Sequence, residues 1–545
     1  MGVISHKIVR ILKRIFFEHY WIPFFFLAVY IAIPTSMYYT DGLDFAFFLQ
    51  RGEFGPDGIH PHHPLFLPLM RVIYKTVLVL IPNLRSMIFL QVVSSICGAA
   101  GIWFFMAILR AWGEKKSSAA IGGFFLGSIF GYWHFSTDAS AYIPAFAILL
   151  AAMLVIFSSA ELSPKRAFSA GLISAVAVLM HQLALFGVIT IFYFLFFNPD
   201  KKRYPLRSSF AFTGVLIVAV VLAIITSYLV LIRIFPEIHV EFWEFVTSHA
   251  HDRYFWTIAN IPARKLLYEM ARSHTNLFFH LTPWEWVYFL NSRGDSMGTV
   301  AFYRGFTCIC AIVVCASIVA HVGKTREKKH LLTTQYFWLL IVFCFATAFM
   351  TENHFYRIFY LPPLIAIFGE FLKLVFSRIK FAIKPVTAIA VCAYFIHVLT
   401  QGILLDYPER ANPFYPDADR VDRFSGVGNL VVFPAEDRYR SKYYRYFGKS
   451  DCIRITSRIA YLDYWEDIWP NRDAISDQTA EYLSTNYENI LITRRSLEQG
   501  ELYLLFSTFN LPGEHPEIMM ISEDRLVNTG GLQGNDGYYY QMRID

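Results

Sequence analysis

The stretch from Tyr39 to Phe66 follows the first apolar run of the chain and carries Asp41, Asp44, His60, His62 and His63. Carboxylates accept protons, and imidazoles contact phosphate or orient a hydroxyl, so such a set beside a hydrocarbon layer is a candidate reaction site. A solvated connector whose charges face water is the plainer alternative for this loop taken alone. Further polar groups interrupt apolar sequence in the same way. They are Ser136-Thr137-Asp138 ahead of Tyr142, His181-Gln182, the segment 235–297 with Glu237, His239 and Arg253, and Thr351-Glu352-Asn353-His354 ahead of Arg357 and Tyr360. Each has an ordinary reading too: His181 as a hydrogen-bonded histidine between helices, Arg357 as an anchor that snorkels to an interface.

The elements that must position these residues are set by composition. The chain has 545 residues, 55% hydrophobic and only 17% charged, with a mean hydropathy of +0.41. Soluble domains carry about 25% charged residues, so most of this chain is built for lipid. The net charge of +6 comes from short basic clusters between apolar runs, a pattern that orients a membrane protein and excludes a continuous nucleic-acid-binding face. Six of the seven cysteines lie in apolar segments, and neither a disulfide framework nor a CxxC metal pair can be read from them.

Apolar runs long enough to span number eleven: Trp21 to Met37, Met87 to Leu109, Ser118 to Phe135, Ala141 to Ala160, Ala167 to Leu179, Gln182 to Phe197, Ser208 to Ile234, Thr299 to His321, Thr334 to Met350, Phe355 to Phe376 and Pro385 to Leu404. Every second connection is basic, from Lys7/Arg10/Lys13/Arg14 through Arg110/Lys115/Lys116, Lys165/Arg166, Lys201/Lys202/Arg203/Arg207 and Lys324/Arg326/Lys328/Lys329 to Arg378/Lys380/Lys384. That alternation predicts a cytoplasmic N-terminus, a retained first span and an extracytoplasmic C-terminus.

Two segments are decided by parity. Leu65 to Ile81 carries Arg71 and Lys75 one turn apart, and a crossing there would put Lys115 and Lys116 outside, so it is expected to lie in the interface. Ala167 to Phe197 as one helix would be about 46 Å long against roughly 30 Å of hydrocarbon, so a hairpin turning near His181 and Gln182 is expected. With this topology all the polar groups above fall on the outer face. From Asp406 the composition turns mixed. Apolar runs at Leu430 to Phe433, Ile453 to Thr456, Ile490 to Thr493 and Ile518 to Ile521 alternate with helix-like stretches, which predicts a small α/β domain over 405–545 beyond a membrane domain over 1–404.

The residues now assembled resemble a family. Asp41-Gly42-Leu43-Asp44 is similar to the Asp-x-x-Glu or Asp-Glu signature of the membrane glycosyltransferases of the GT-C fold. His60-Pro61-His62-His63-Pro64-Leu65-Phe66 is similar to their His-Pro-Pro…Pro-Leu-Tyr element. Asp138 and Tyr142 sit where relatives have an acidic residue before a Tyr, and Arg357 to Leu364 resembles their late Arg-Tyr-x-x-Pro element. The departures are Asp44 in place of the commoner Glu and His62-His63 in place of a plainer proline run.

The resemblance implies an α-helical polytopic protein of about eleven transmembrane helices, with a C-terminal soluble α/β domain, in a bacterial inner membrane. It implies transfer of a sugar from a polyprenyl phosphate donor to a lipid, glycan or protein acceptor at the extracytoplasmic face, with no nucleic acid involved. Asp41 or Asp44 would be the base, with Asp41 preferred. Arg357 would hold the departing phosphate, helped by His354 or Arg253, and His60, His62, His63, Asp138, Tyr142, His181 and Tyr360 would line the substrate. No cofactor is required in such enzymes, and a divalent metal on the histidines and aspartates is the less favoured option. A glycan polymerase or ligase would share this outer site. A transporter would place charges at mid-membrane on broken helices and show related halves, which this chain does not.

Overall fold

The computed structural model describes residues 21–52, 60–159, 161–234, 241–247, 256–280, 297–321, 326–351, 353–377, 383–408 and 412, then 429–433, 438–447, 451–457, 489–493, 502–505, 518–521, 526–534 and 537–542. The chain divides into two compact units, one of Met1–Thr35, Pro56–Trp286 and Ser292–Tyr407, the other of Ser36–Gly55, Val287–Asn291 and Pro408–Asp545.

Six helices of the first unit are long and apolar enough to cross a membrane: Ser86–Ala111, Leu206–Ile234, Met297–Val319, Lys329–Ala348, Phe355–Val375 and Pro385–Asp406. Trp21–Ala32, Tyr142–Phe157 and Ala184–Phe197 are shorter apolar helices. The chain is thus an integral membrane protein. Ser118 to Phe135 is not a single helix: Lys116–Ser128 is followed by an extended Ile129 (φ −64°, ψ 126°) and then by Phe130–Ser136. Ser128 donates its hydroxyl to Phe124 O (2.7 Å), a back-bond that loosens a helix end. The break turns Trp133 onto Phe395 (centroids 5.5 Å) and Tyr30 (5.6 Å), in an aromatic core that also holds Phe26 and Phe124.

Hydrogen bonds fix which helix ends lie together. Gln91 donates through Nε2 to Thr35 O (2.8 Å) and Thr137 O (2.9 Å), gathering three ends at one level. The Ser86–Ala111 helix, about 39 Å long at 1.5 Å per residue, leads from there to the other end of the bundle. The helix Pro164–Met180 opens with a proline at its first turn, and its Ser163 hydroxyl accepts from Arg166 N (3.3 Å). It stops at His181, and the next helix, Ala184–Phe197, leads back. Leu162 N donates to Arg203 O (2.8 Å) and Arg203 Nε to Ser159 O (2.9 Å), so the two helices begin and end at one level. They form an out-and-back pair, as the length argument predicts.

Phe66–Leu80 buries Phe66, Leu67, Met70 and Tyr74 on one face and exposes Val72, Ile73, Val79 and Leu80 on the other. Its apolar residues therefore face both the protein and the surroundings, and Tyr74 OH is tied to Leu84 O (2.6 Å).

In the second unit, strands β1 (Asn429–Phe433), β2 (Asp451–Ser457), β3 (Asn489–Thr493), β4 (Leu502–Leu505), β5 (Ile518–Ile521), β6 (Leu526–Gly534) and β7 (Gly537–Met542) form one sheet in the order β5-β4-β2-β1-β3-β7-β6. β1 pairs parallel with β2 and β3, and the remaining pairings are antiparallel. The helices Thr40–Arg51 and Arg438–Phe447 belong to this unit.

Candidate active site

The prolines of His60-Pro61-His62-His63-Pro64 prevent a regular helix, so the backbone there makes local turns and bonds outward. His63 N donates to His60 O (3.1 Å), and His62 N to the Nδ1 of His60 (3.2 Å). The His60 ring lies 4.5 Å from that of His62 and 5.2 Å from that of His63. Outward, His62 O accepts from Gln182 N (2.8 Å), and Leu65 N donates to Leu179 O (3.0 Å). The loop is thereby stitched onto the turn of the out-and-back pair, and two polar groups separated by over a hundred residues become one surface.

His181 occupies that turn in extended conformation, its Nδ1 accepting from Leu183 N (3.2 Å) and its ring 4.4 Å from Tyr142 and 6.4 Å from His63. Burial, and after it the neighbouring His63 and His62, holds its pKa well below the ordinary 6.5. It is a neutral imidazole that fixes the turn and presents a face to the histidine loop. Tyr142 continues the wall to Phe355 (4.8 Å), and Phe135 bridges Tyr142 (5.8 Å) to His354 (6.0 Å). Asp138, at the head of the same Tyr142 helix, is fully buried.

Arg357 lies on a 3₁₀ turn, Phe355–Tyr360, and has 0% exposure, so it is no snorkelling anchor. Its Nε and Nη2 donate to Ser273 Oγ (3.0 and 2.8 Å), and Nη2 also to Thr351 O (3.0 Å), while the Ser273 hydroxyl donates to Thr351 O (2.6 Å). Ser273 comes from the helix Ala263–Phe278, whose last turns bury Ser273, His274, Thr275 and Asn276 in succession. His274 Nδ1 meets the Tyr360 hydroxyl. Burial, and after it the charge of Arg357, pushes both His274 and His354 down to about 3. At neutral pH both are therefore uncharged, and they surround a guanidinium with hydrogen-bonding groups.

Next to this cluster, His280 and Asp406 approach at 3.3 Å with side chains 3% and 2% exposed. A single π-helical stretch, Leu399–Ile403, sets up Asp406. Its Gly402 permits the approach, since a Cβ there would stand 3.0 Å from Phe130 and 3.2 Å from His280. The Phe130 ring lies between His280 (4.6 Å) and His134 (5.9 Å). Ser273, His274, His280, Asp406 and His134 are absent from the sequence-based candidates. The run Arg272-Ser273-His274-Thr275-Asn276 is the one signal that points to part of the group.

Asp41 and Asp44 lie three residues apart on Thr40–Arg51, in the second unit. Thr40 Oγ1 is 3.4 Å from Asp41 Oδ1, and Asp44 is ion-paired with Lys442. The first unit gathers His60, His62, His63, Tyr142 and His181, and it also holds His354, Arg357, Tyr360 and Asp138. Arg253, with Glu237, His239 and Glu352, lies outside the described residues. Among the described residues, no group of three or more His, Cys, Asp or Glu side chains is placed to hold a metal ion.

No protein-family model and no curated protein sequence matches the chain. Solved structures do. The chain is similar to ArnT from Cupriavidus metallidurans bound to undecaprenyl phosphate, at 11% identity and a TM-score of 0.54, covering 92% of this chain and 97% of that one. It also matches the archaeal oligosaccharyltransferase AglB from Archaeoglobus fulgidus in complex with an inhibitory peptide and a dolichol-phosphate (12% identity, TM-score 0.47, 93% and 77% covered). A third match is the arabinofuranosyltransferase AftD from Mycobacteria (13%, 0.43, 86% and 35%). The likeness to ArnT runs the length of both chains and establishes the GT-C fold.

Proposed function

We propose that this protein is a membrane glycosyltransferase that moves a sugar from a polyprenyl phosphate carrier to an acceptor hydroxyl or amine at the extracytoplasmic face of an inner membrane. The supporting observation is a fully buried Arg357, with the neutral His274 and His354 near it, in the fold of a structure that holds undecaprenyl phosphate. The apolar spans suit a polyprenyl tail. A guanidinium oriented by Ser273 and Thr351 suits the phosphate, whose charge grows as the anomeric C–O bond breaks and the electron pair moves to phosphate oxygen. Asp41 takes the acceptor's proton as the acceptor atom bonds to the anomeric carbon. His60, His62 and His63, with His181 behind them, orient the acceptor or contact phosphate. Residues 1–404 are assigned to catalysis and 405–545 to an extracytoplasmic domain with which Ser36–Gly55 is grouped.

The test uses full-length protein in liposomes, undecaprenyl phosphate carrying glucose or mannose, and membranes of the source cell as acceptor. Free undecaprenyl phosphate and a new glycosidic bond are expected. Asp41→Asn should keep donor binding and lower the rate about a hundredfold to ten-thousandfold, the usual cost of losing a general base. Movement of the lipid across the bilayer with no glycosidic bond formed would sink the proposal.

A further inference from the structure

A cavity of about 310 Å³ is walled by five helices of the first unit, Ser86–Ala111, Lys116–Ser128, Arg326–Ala348, Leu361–Ser377 and Ile383–Val398. That volume falls within the roughly 300–1,000 Å³ of small-molecule sites. It lies at the end of the bundle away from Arg357. Leu109, on its wall, is at the opposite end of its helix from Gln91, and Gln335 lies about 20 Å of helix before Ala348, where the chain turns toward Thr351 and Arg357. The walls are mostly apolar, with Ile121, Phe125, Leu332, Ile365 and Val391 among them. Gly369 adds room, since a Cβ built there would meet no atom within 4 Å.

The polar groups on this wall are of a particular kind. Lys373 Nζ donates to Glu370 Oε1 (2.8 Å) and to Glu114 Oε1, so two carboxylates share one ammonium and the set keeps a formal charge of −1. The Lys373 side chain is 47% exposed, which makes this set the mouth of the cavity. Arg110, whose guanidinium donates to Glu114 O, adds a cation beside it. Gln335 also lines the cavity and is only 2% exposed, yet its Oε1 has no donor among the described residues. Trp112 Nε1, on the same wall, is buried and has no acceptor among them. Buried polar atoms are paired in folded proteins, so an orphaned acceptor and an orphaned donor on one cavity wall point to a ligand that supplies both partners.

We infer that this cavity binds a phospholipid whose headgroup carries a primary ammonium, taken from the leaflet on the side of Lys115 and Lys116. An acyl chain fills the apolar part. The headgroup ammonium has three N–H donors, and the cavity offers the carboxylates of Glu114 and Glu370 and the carbonyl of Gln335. The lipid phosphate pairs with Lys373, and Trp112 Nε1–H donates to an ester carbonyl. Ion pairs this exposed are weakly held, so Lys373 can exchange a carboxylate for phosphate. A quaternary ammonium has no N–H to donate, and a headgroup with phosphate but no cation leaves the carboxylates unanswered. The site is remote from the proposed chemistry and is read by binding, so it does not depend on the glycosyltransferase reading.

The test takes full-length protein, stripped of lipid in detergent, and titrates it with dioleoyl phosphatidylethanolamine, phosphatidylcholine or phosphatidylglycerol, following bound lipid by native mass spectrometry and stability by thermal unfolding. The ethanolamine lipid should bind on the order of tenfold tighter than the other two, the worth of one hydrogen bond to a charged group, and should raise the melting temperature most. Glu114→Gln combined with Glu370→Gln should erase that preference. Gly369→Leu, whose side chain enters the cavity and leaves the mouth intact, should weaken binding of the ethanolamine lipid at least as much. Equal binding of the ethanolamine and choline lipids by the wild type would overturn the inference. Tighter binding of phosphatidylglycerol would do so too, by making Arg110 and Lys373 a site for anionic lipid. If the double glutamine variant fails to fold, Gly369→Leu decides alone: a folded variant that binds the ethanolamine lipid as tightly as wild type would place the lipid elsewhere and refute the site.

Discussion

Arg357 donates twice to the hydroxyl of Ser273, a residue 84 positions earlier on a different helix. One arginine therefore serves two ends. It orders the junction of Ala263–Phe278 with the Phe355–Tyr360 turn, and it places a fixed positive charge among neutral histidines.

The double role yields a specific pattern of variants. Arg357→Ala removes both guanidinium bonds to the buried Ser273 hydroxyl and one of those to Thr351 O, so it should lower thermal stability as well as donor affinity. Sequence reasoning would limit the damage to donor use. Ser273→Ala keeps the charge and should cost about 1–3 kcal/mol of stability, the price of a lost buried partner, with much of the donor binding retained. Arg357→Lys should be partly active, because an ammonium cannot reproduce the fork. Donor titration beside thermal unfolding checks all three. Equal losses of donor binding in Ser273→Ala and Arg357→Ala would make Arg357 a purely structural tie.

The low pKa values of His274 and His354 predict how stability varies with pH. Both stay neutral in the fold down to about 3, whereas unfolded histidine takes a proton near 6.5. Above pH 6.5 the two states bind protons alike and nothing is lost. As pH falls through 6.5 toward 3, the unfolded state gains protons that the folded state refuses, so stability drops by about 1.4 kcal/mol per pH unit for each histidine. Melting temperature should therefore decline from pH 7 to pH 5, and replacing His354 with Asn should flatten the slope. A melting temperature constant across that range in the wild type would contradict the buried neutral assignment.

How much of this was legible in the sequence differs between the two sides of the site. His60, His62, His63 and His181 can be read because each stands at a break in apolar sequence, where a polar residue has few uses besides a turn or a site. Arg357 is visible for the same reason, although its complete burial is not. Ser273 and His274 hide on an amphipathic helix, where a polar residue reads as solvated until a packing partner is known. His280 and Asp406 are joined by tertiary contact alone, and Asp44 gives no local hint of a partner 398 residues away.

Close backbone packing between the helices Pro164–Met180 and Leu206–Ile234 depends on Gly171. A Cβ there would stand 2.5 Å from Phe212 O and 2.5 Å from Val215 Cγ1. The carbonyl is backbone and cannot swing aside, so Gly171→Ala should cost about 1–3 kcal/mol, the range for overpacking. Gly214, on the second of these helices, has no atom within 4 Å of such a Cβ, so Gly214→Ala should be neutral or slightly stabilising. Thermal stability of the two variants in one detergent makes the comparison. A Gly171→Ala protein as stable as Gly214→Ala would mean that the helices separate at no cost.

The out-and-back pair also decides where the chain should end. Had Ala167 to Phe197 crossed once, Lys165 and Arg166 would lie across the bilayer from Lys201, Lys202 and Arg203, and every later segment would change sides. Arg203 bonds to Ser159 O and Phe157 O at the foot of the pair, so both basic clusters lie at one level. With the other apolar runs crossing as read from their basic loops, the count of crossings would be odd, which predicts an extracytoplasmic C-terminal unit. An alkaline phosphatase fused after Asp545 should be active and a fluorescent protein at that point dark. A fusion at Lys202 should give the opposite signals, whereas a bright C-terminal fluorescent protein would move the polar ends, and the proposed chemistry with them, to the cytoplasmic side.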